Sequence, residues 1–204
     1  MKQTVLAFSV LFAAGAAQAQ TQPCDWKELA RSEDRGRVAM RFDDAYRRIG
    51  SLRGEGLDQA SKDAALELLR RAEAPAAPGS ITGRWKIRSL QFTDHPGTYD
   101  FGYAYPFFQA RIDKADSQRG CGLTFAKTSG SQRRSGNLYP MGHDPQTLAF
   151  LGAKTVNDEG PGQYDPRTAN PANTAGRLVR LDEDELLMML DYDGRGFELY
   201  HFKR

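Results

Sequence analysis

From Asp25 to Glu73 the apolar positions recur at three- and four-residue spacing, the period of a helix with one buried face. Val38, Phe42, Ala45, Tyr46 and Ile49 fall on one such face. Asp25 is placed to cap a first turn, with Glu28 positioned to complete a capping box. Gly50, Gly54 and Gly56 interrupt the pattern. A second helix is predicted from about Leu57 to Glu73, with Leu57, Ala60, Ala64, Leu68 and Ala72 on its inner side. Ala74-Pro75-Ala76-Ala77-Pro78-Gly79 stops it and forms a short linker.

After Ser80 the period changes to two. Trp85 and Ile87 alternate with Arg84, Lys86 and Arg88, the pattern of a half-buried strand. At Ser89 the phase shifts, and Leu90 and Phe92 fall on the other parity, which predicts a bulge. Further strands are expected at Tyr103–Asp113, Gly120–Lys127, Gln132–Tyr139, Thr147–Leu151, Gly176–Leu181, Glu185–Tyr192 and Phe197–Phe202. Asp182-Glu183-Asp184 and Asp193-Gly194-Arg195-Gly196 have the chemistry of hairpin turns. Residues 157–174, rich in Gly, Pro, Asn and Asp, form one long loop, a class of segment that is often functional. The fold class is therefore α+β: an N-terminal helical segment followed by an antiparallel, β-barrel-like domain of about eight strands.

The first residues belong to neither pattern. A short positive start, an apolar run from Thr4 to Ala17 and the small-x-small site Ala17-Gln18-Ala19 make residues 1–19 a cleavable signal peptide. The run is about 14 residues, short of the roughly 20 needed to span a bilayer. The chain then divides into the signal at 1–19, helices and linker at 20–79, and a β-rich domain at 80–204. Its expected location is the bacterial periplasm, with secretion as the alternative. After cleavage no membrane span is expected.

Export changes the meaning of the two cysteines. Cys24 and Cys121 are expected to pair in an oxidising compartment, tying the mature N-terminus to the strand region. The loop is long, so the bridge would stabilise by on the order of 4–5 kcal/mol in the chain-entropy account. The alternative is two free thiols. No Cys-x-x-Cys exists to support redox chemistry. With 28 Lys+Arg against 26 Asp+Glu, the charges nearly balance. A nucleic-acid partner is excluded on that ground, since it requires a concentrated basic excess.

Candidate chemistry is sparse. The run Thr128–Pro140 gathers hydroxyls, glycines, Arg133 and Arg134, and an arginine there can hold a carboxylate or phosphate in forked geometry. It is no P-loop, because no Gly-Lys-Ser/Thr closes it. Ser131 or Ser135 with His143 and Asp158 or Glu159 would be needed for a hydrolase, the enzymatic alternative. His95, His143 and His201 show no metal-ligand spacing. Asp158, Glu159 and Asp165 are clustered carboxylates without the spacing of a defined calcium loop. Neither a cofactor nor a metal is called for.

Two resemblances follow from these motifs. Gly83-Arg84-Trp85 resembles the Gly-x-Trp signature of the lipocalins. The resemblance implies a Trp85 that plugs one barrel end beneath a basic residue near the chain's end, here Lys203 or Arg204. Phe107, Phe108, Leu123, Phe125, Met188 and Met189 would then line a filled or ligand-holding interior. The wider order is Gly83-x-Trp85-x-x-Arg88, Ser129–Tyr139, Phe150-Leu-Gly-Ala153, Asp158-Glu159 and a closing strand pair. That order is similar to the domain-of-unknown-function family 4893, a family of exported bacterial proteins. Lys86 stands where its members often carry a cysteine. The family carries no assigned activity, so the resemblance transfers no functional residues. The expected function is a non-enzymatic binding module for a small apolar or anionic ligand, or for another envelope protein, with Trp85, Arg133, Arg134 and Tyr139 as ligand-binding candidates.

Overall fold

The structure, a computed structural model, describes residues 25–93, 100–116, 122–142, 144–191 and 196–204. The signal segment, both cysteines, His95 and His143 lie outside the described residues. Four helices come first: α1 (Trp26–Leu29), α2 (Ser32–Ala39), α3 (Phe42–Ser51) and α4 (Gln59–Ala72). Nine strands follow: β1 (Gly83–Thr93), β2 (Phe101–Ala104), β3 (Phe108–Lys114), β4 (Leu123–Lys127), β5 (Gln132–Met141), β6 (Asp144–Val156), β7 (Asn173–Arg180), β8 (Glu185–Asp191) and β9 (Gly196–Lys203).

Eight of these strands close an antiparallel barrel. The order β1-β3-β4-β5-β6-β7-β8-β9 returns to β1 through pairing from Lys86↔Lys203 to Thr93↔Gly196. The extra strand, β2, extends the edge of β1 beyond the end of β3, pairing Leu90–Thr93 with Ala104–Phe101. A single strand over Tyr103–Asp113 was expected. Pro106 lies in the gap that splits it, and a proline offers no N–H to a ladder.

The expected bulge at Ser89 is absent, because β1 pairs with β9 in unbroken register through that point. What changes is the chemistry of the two faces. Trp85 and Ile87 point into the barrel, and Ser89 and Gln91 continue on that parity as polar interior residues. Leu90 and Phe92 point outward and are buried under α3 and α4. The helices thus coat the barrel, sharing a core with Val179, Leu187, Met189 and Leu199. Met189 belongs to that outer layer, whereas Met188 and Phe125 belong to the interior.

One helix was expected through Val38 and Ile49, yet α2 ends at Ala39, with Met40 as its C-cap. Val38 packs with Tyr139, Ala149 and Leu151 on one patch of the barrel, and Phe42, Ala45 and Ile49 pack on another. A straight helix cannot follow that curvature. Arg177 makes the break tolerable by donating to the Met40 carbonyl at 3.0 Å. Tyr46, expected on the inner face, is exposed. In α4 the inner side is turned by one residue, toward Ser61, Ala65, Leu68 and Ala72. Its N-cap is Asp58, which accepts from the Ser61 amide at 2.8 Å.

Charges fasten α4 to the barrel. Arg71 pairs with Glu185 at 2.5 Å and Asp182 at 2.8 Å. Glu185 also meets Lys203 at 2.6 Å and His201 Nε2 at 3.3 Å. Arg88 Nε donates to His201 Nδ1 at 3.2 Å, so the imidazole is neutral with its proton on Nε2. Burial, with Arg88 beside it, holds the His201 pKa down at about 4, despite the opposing pull of Glu185. Burial pushes Glu185 up, but hydrogen bonds from Lys203 and Arg71 outweigh it and bring Glu185 to about 2.

The sign of the pH dependence follows. Unfolded chains protonate this histidine near pH 6.5, before the folded protein does, so stability falls as pH drops from about 6.5 to 4. The loss from His201 is at most about 3 kcal/mol. Glu185 continues it below about pH 4.5. Melting temperature measured from pH 7 to 4 is expected to fall, and the His201→Gln variant to flatten that window. An unchanged slope in the variant would rule the assignment out.

Candidate functional site

The barrel interior divides along its axis. Through its middle and lower part it is a solid aromatic core. Phe125 packs against Phe150 at 5.7 Å and Phe202 at 5.5 Å between ring centroids, and Phe202 meets Trp85 edge-on at 6.2 Å. Trp85 sits near the lower end, where its indole N–H donates to the Ile81 carbonyl at 2.9 Å. Arg204 stacks over its ring at 4.1 Å and donates to the Thr82 carbonyl. Arg204 is thus the basic partner expected for Trp85, and Lys203 pairs with Glu185 instead. Beside this plug lies a recess of about 320 Å³ with Ile81, Leu123, Leu148 and Leu178 in its walls.

The upper end, where β1 finishes and β9 begins, carries charge. Arg134 and Glu198 form a buried ion pair, each about 1–2% exposed. Arg134 Nη1 also donates to the Tyr200 hydroxyl at 2.7 Å. Glu198 further accepts from Ser89 Oγ and from Gln91 Nε2, the latter at 3.2 Å. Burial and the neighbouring Glu198 carboxylate push the Tyr200 phenol well above its ordinary value, so it stays protonated.

Lys127 completes the group. Its ammonium donates to the Gln132 carbonyl at 2.7 Å and lies 4.4 Å from the Phe108 ring and 5.9 Å from that of Tyr200. Only 8% of the residue is exposed. Desolvation lowers its pKa, Glu198 pulls it back up, and Arg134 lowers it again. Lys127 borders two recesses. One, about 90 Å³, opens at the barrel mouth beside Ser89, Gln91, Gln132 and Glu198. The other, about 210 Å³, lies where β4 and β5 diverge, beside Arg133, Arg134 and Glu159.

The four ligand-binding candidates do not converge. Trp85 is at the lower end and Arg134 is inside the upper end. Arg133 and Tyr139 face outward, since alternate residues of β5 take opposite faces. Arg133 donates to the carbonyls of Asn157 and Glu159 and so clamps the 157–172 segment. Tyr139 is buried against Trp26 and Leu151, and burial raises its pKa. The long segment is a fixed strap: Ser135 Oγ donates to the Gly162 carbonyl at 2.8 Å, and Tyr164 donates to the buried Asp34 at 2.5 Å. Beneath it runs a groove of about 710 Å³ that includes Asn137, Tyr139 and Tyr164.

Of the hydrolase set, Ser131, Ser135, Asp158 and Glu159 fall among the described residues. Ser131 adjoins the upper end of β5, and His143 lies outside the described residues. Ser135 is committed to the strap. Asp165 accepts from Arg167 and Thr168 within its own turn, and no metal-binding group of three or more His, Cys, Asp or Glu occurs among the described residues. No described helix is long and apolar enough to cross a membrane.

Sequence reasoning missed Lys127, Glu198, Tyr200, Ser89 and Gln91. The signal was present: β9 is apolar on both faces except for Glu198 and His201, and Ser89 and Gln91 hold the interior parity of Trp85.

The order of motifs behind this geometry matches a family model. The model, described as Domain of unknown function (DUF4893), covers residues 26–194. The chain belongs to this family. The match runs from α1 to residue 194, between β8 and β9, so the DUF4893 segment contains Lys127, Arg134, Ser89 and Gln91 but stops short of Glu198 and Tyr200. No curated protein and no solved structure matches the chain.

Proposed function

We propose that this DUF4893 protein is an exported, non-enzymatic binding module whose ligand site is the polar upper mouth of the barrel. One observation carries the reading: a buried charged network occupies one end of an otherwise aromatic interior, and that end opens to solvent beside Lys127. A barrel needing only stability would be served as well by apolar side chains there. Buried ionisable groups at the lip of a recess are a mark of binding sites. The packed middle of the barrel leaves no room for a ligand seated deep inside. The catalytic alternative lacks a convergent nucleophile, base and acid among the described residues.

A fragment screen by thermal shift on the mature protein tests the site. Compounds that raise the melting temperature are expected to lose that effect in Lys127→Met and to keep it in Asn137→Trp, which fills the outer groove. The reverse pattern would move the site to the groove. Export and the disulfide belong to the same proposal. Intact mass of protein recovered from a bacterial periplasm should correspond to a chain starting at Gln20 and lighter by two hydrogens for a Cys24–Cys121 bridge. A retained leader or two titratable thiols would count against it.

A further inference from the structure

We infer that the upper mouth binds a small monocarboxylate, with Lys127 as its counter-ion. This rests on the mouth being the ligand site and adds the class of ligand. The inner charges are unequal. Arg134 and Glu198 compensate each other, and Lys127 is left as one surplus cation in a nearly closed setting. Among the described residues no carboxylate comes within ion-pair distance of it. Lys154, opposite Arg134 on β6, adds positive charge at the same level.

Hydrogen bonding points the same way. An ammonium has three donors, and one is used, by the Gln132 carbonyl. The remaining donors have aromatic faces for neighbours, which favour a cation but accept no strong hydrogen bond. A carboxylate in the adjoining recess would take them in charge-assisted bonds, and Gln91 and Ser131 border the same space. The recess is small, about 90 Å³, which favours a ligand of few heavy atoms. Lys127 is the cation that borders the recess itself, so a single carboxylate matches the charge within reach. Lys127, lowered by desolvation, would be drawn back up by such a ligand.

The test is a titration of mature, ¹⁵N-lysine-labelled protein with acetate, with acetamide as neutral isostere and inorganic phosphate as dianion, at fixed ionic strength. Acetate is expected to raise the Lys127 pKa and to bind at least about tenfold more tightly than acetamide. Lys127→Met should abolish the acetate response. If that variant fails to fold, the wild-type Lys127 signal decides alone. Equal binding of acetamide, or tighter binding of phosphate, would overturn the ligand class and leave the site standing. If none of the three perturbs Lys127 while screened fragments still depend on it, the inference falls alone. If nothing binds at the mouth, both fall.

Discussion

Replacing Arg134 with Met is expected to destabilise the barrel by about 3–5 kcal/mol, the cost of stranding a buried charge. Arg134 and Glu198 are both almost fully enclosed, so removing the guanidinium leaves a carboxylate with Ser89 and Gln91 as its neutral donors. Tyr200 loses its 2.7 Å donor in the same step. Lys127 can shift toward the carboxylate, which places the loss nearer the lower figure. For a chain of this size the melting temperature should fall by roughly 8–15 °C. The pair itself contributes much less than that. Arg134→Met combined with Glu198→Leu removes both charges, and apolar replacement of a whole buried pair is often neutral. The double variant should therefore recover most of the lost stability. A urea double-mutant cycle reads both effects. A single variant within about 1 kcal/mol of wild type would show that the pair is solvated after all. If the double variant is stable but no longer responds to ligands, the charges are kept for binding rather than for folding.

That division explains how much of the protein was legible in its sequence. Period-two alternation marked the strands because one face of each is apolar, and eight of them with turns between pointed to a meandering barrel or sandwich. The Gly-x-Trp resemblance implied a basic residue near the chain's end over Trp85, and Arg204 stacks on that ring at 4.1 Å. Legibility failed where a strand is buried on both faces. In β1 the outer side beyond Ser89 is covered by helices distant in sequence, so Leu90 and Phe92 imitated a phase shift. The polar site failed for a related reason. Lys127, Arg134, Glu198 and Ser89 lie on four different strands, and only barrel closure through β1 and β9 brings them together. No local spacing records such an encounter. Arg133 and Arg134 look alike in sequence, yet one clamps the strap and the other enters the core, because β5 alternates.

A large backbone effect is expected at Gly152. Gly136 on β5 and Gly152 on β6 are direct cross-strand partners. A Cβ at Gly152 would lie 2.3 Å from the Ser135 carbonyl oxygen and 2.3 Å from the Phe150 ring. A Cβ at Gly136 would lie 2.3 Å from the Gly152 Cα. Neither glycine is needed for a left-handed backbone; both are needed because the two strands pass too close here to admit a Cβ. Relief would require backbone movement, since the Ser135 carbonyl cannot rotate away as a side chain can. Gly152→Ala should cost about 3 kcal/mol or more, at the upper end of overpacking effects. The damage would spread along β5, which carries Arg134 into the polar mouth, so ligand responses should weaken along with stability. Gly50→Ala is the control. Gly50 lies in α3 with nothing within 4 Å of an added Cβ, so alanine there should stabilise by about 0.5–1 kcal/mol through helix propensity. Urea unfolding of the two variants measures the contrast. Equal effects would mean that β5 and β6 can part at this point without cost, and that their close approach does not constrain the barrel.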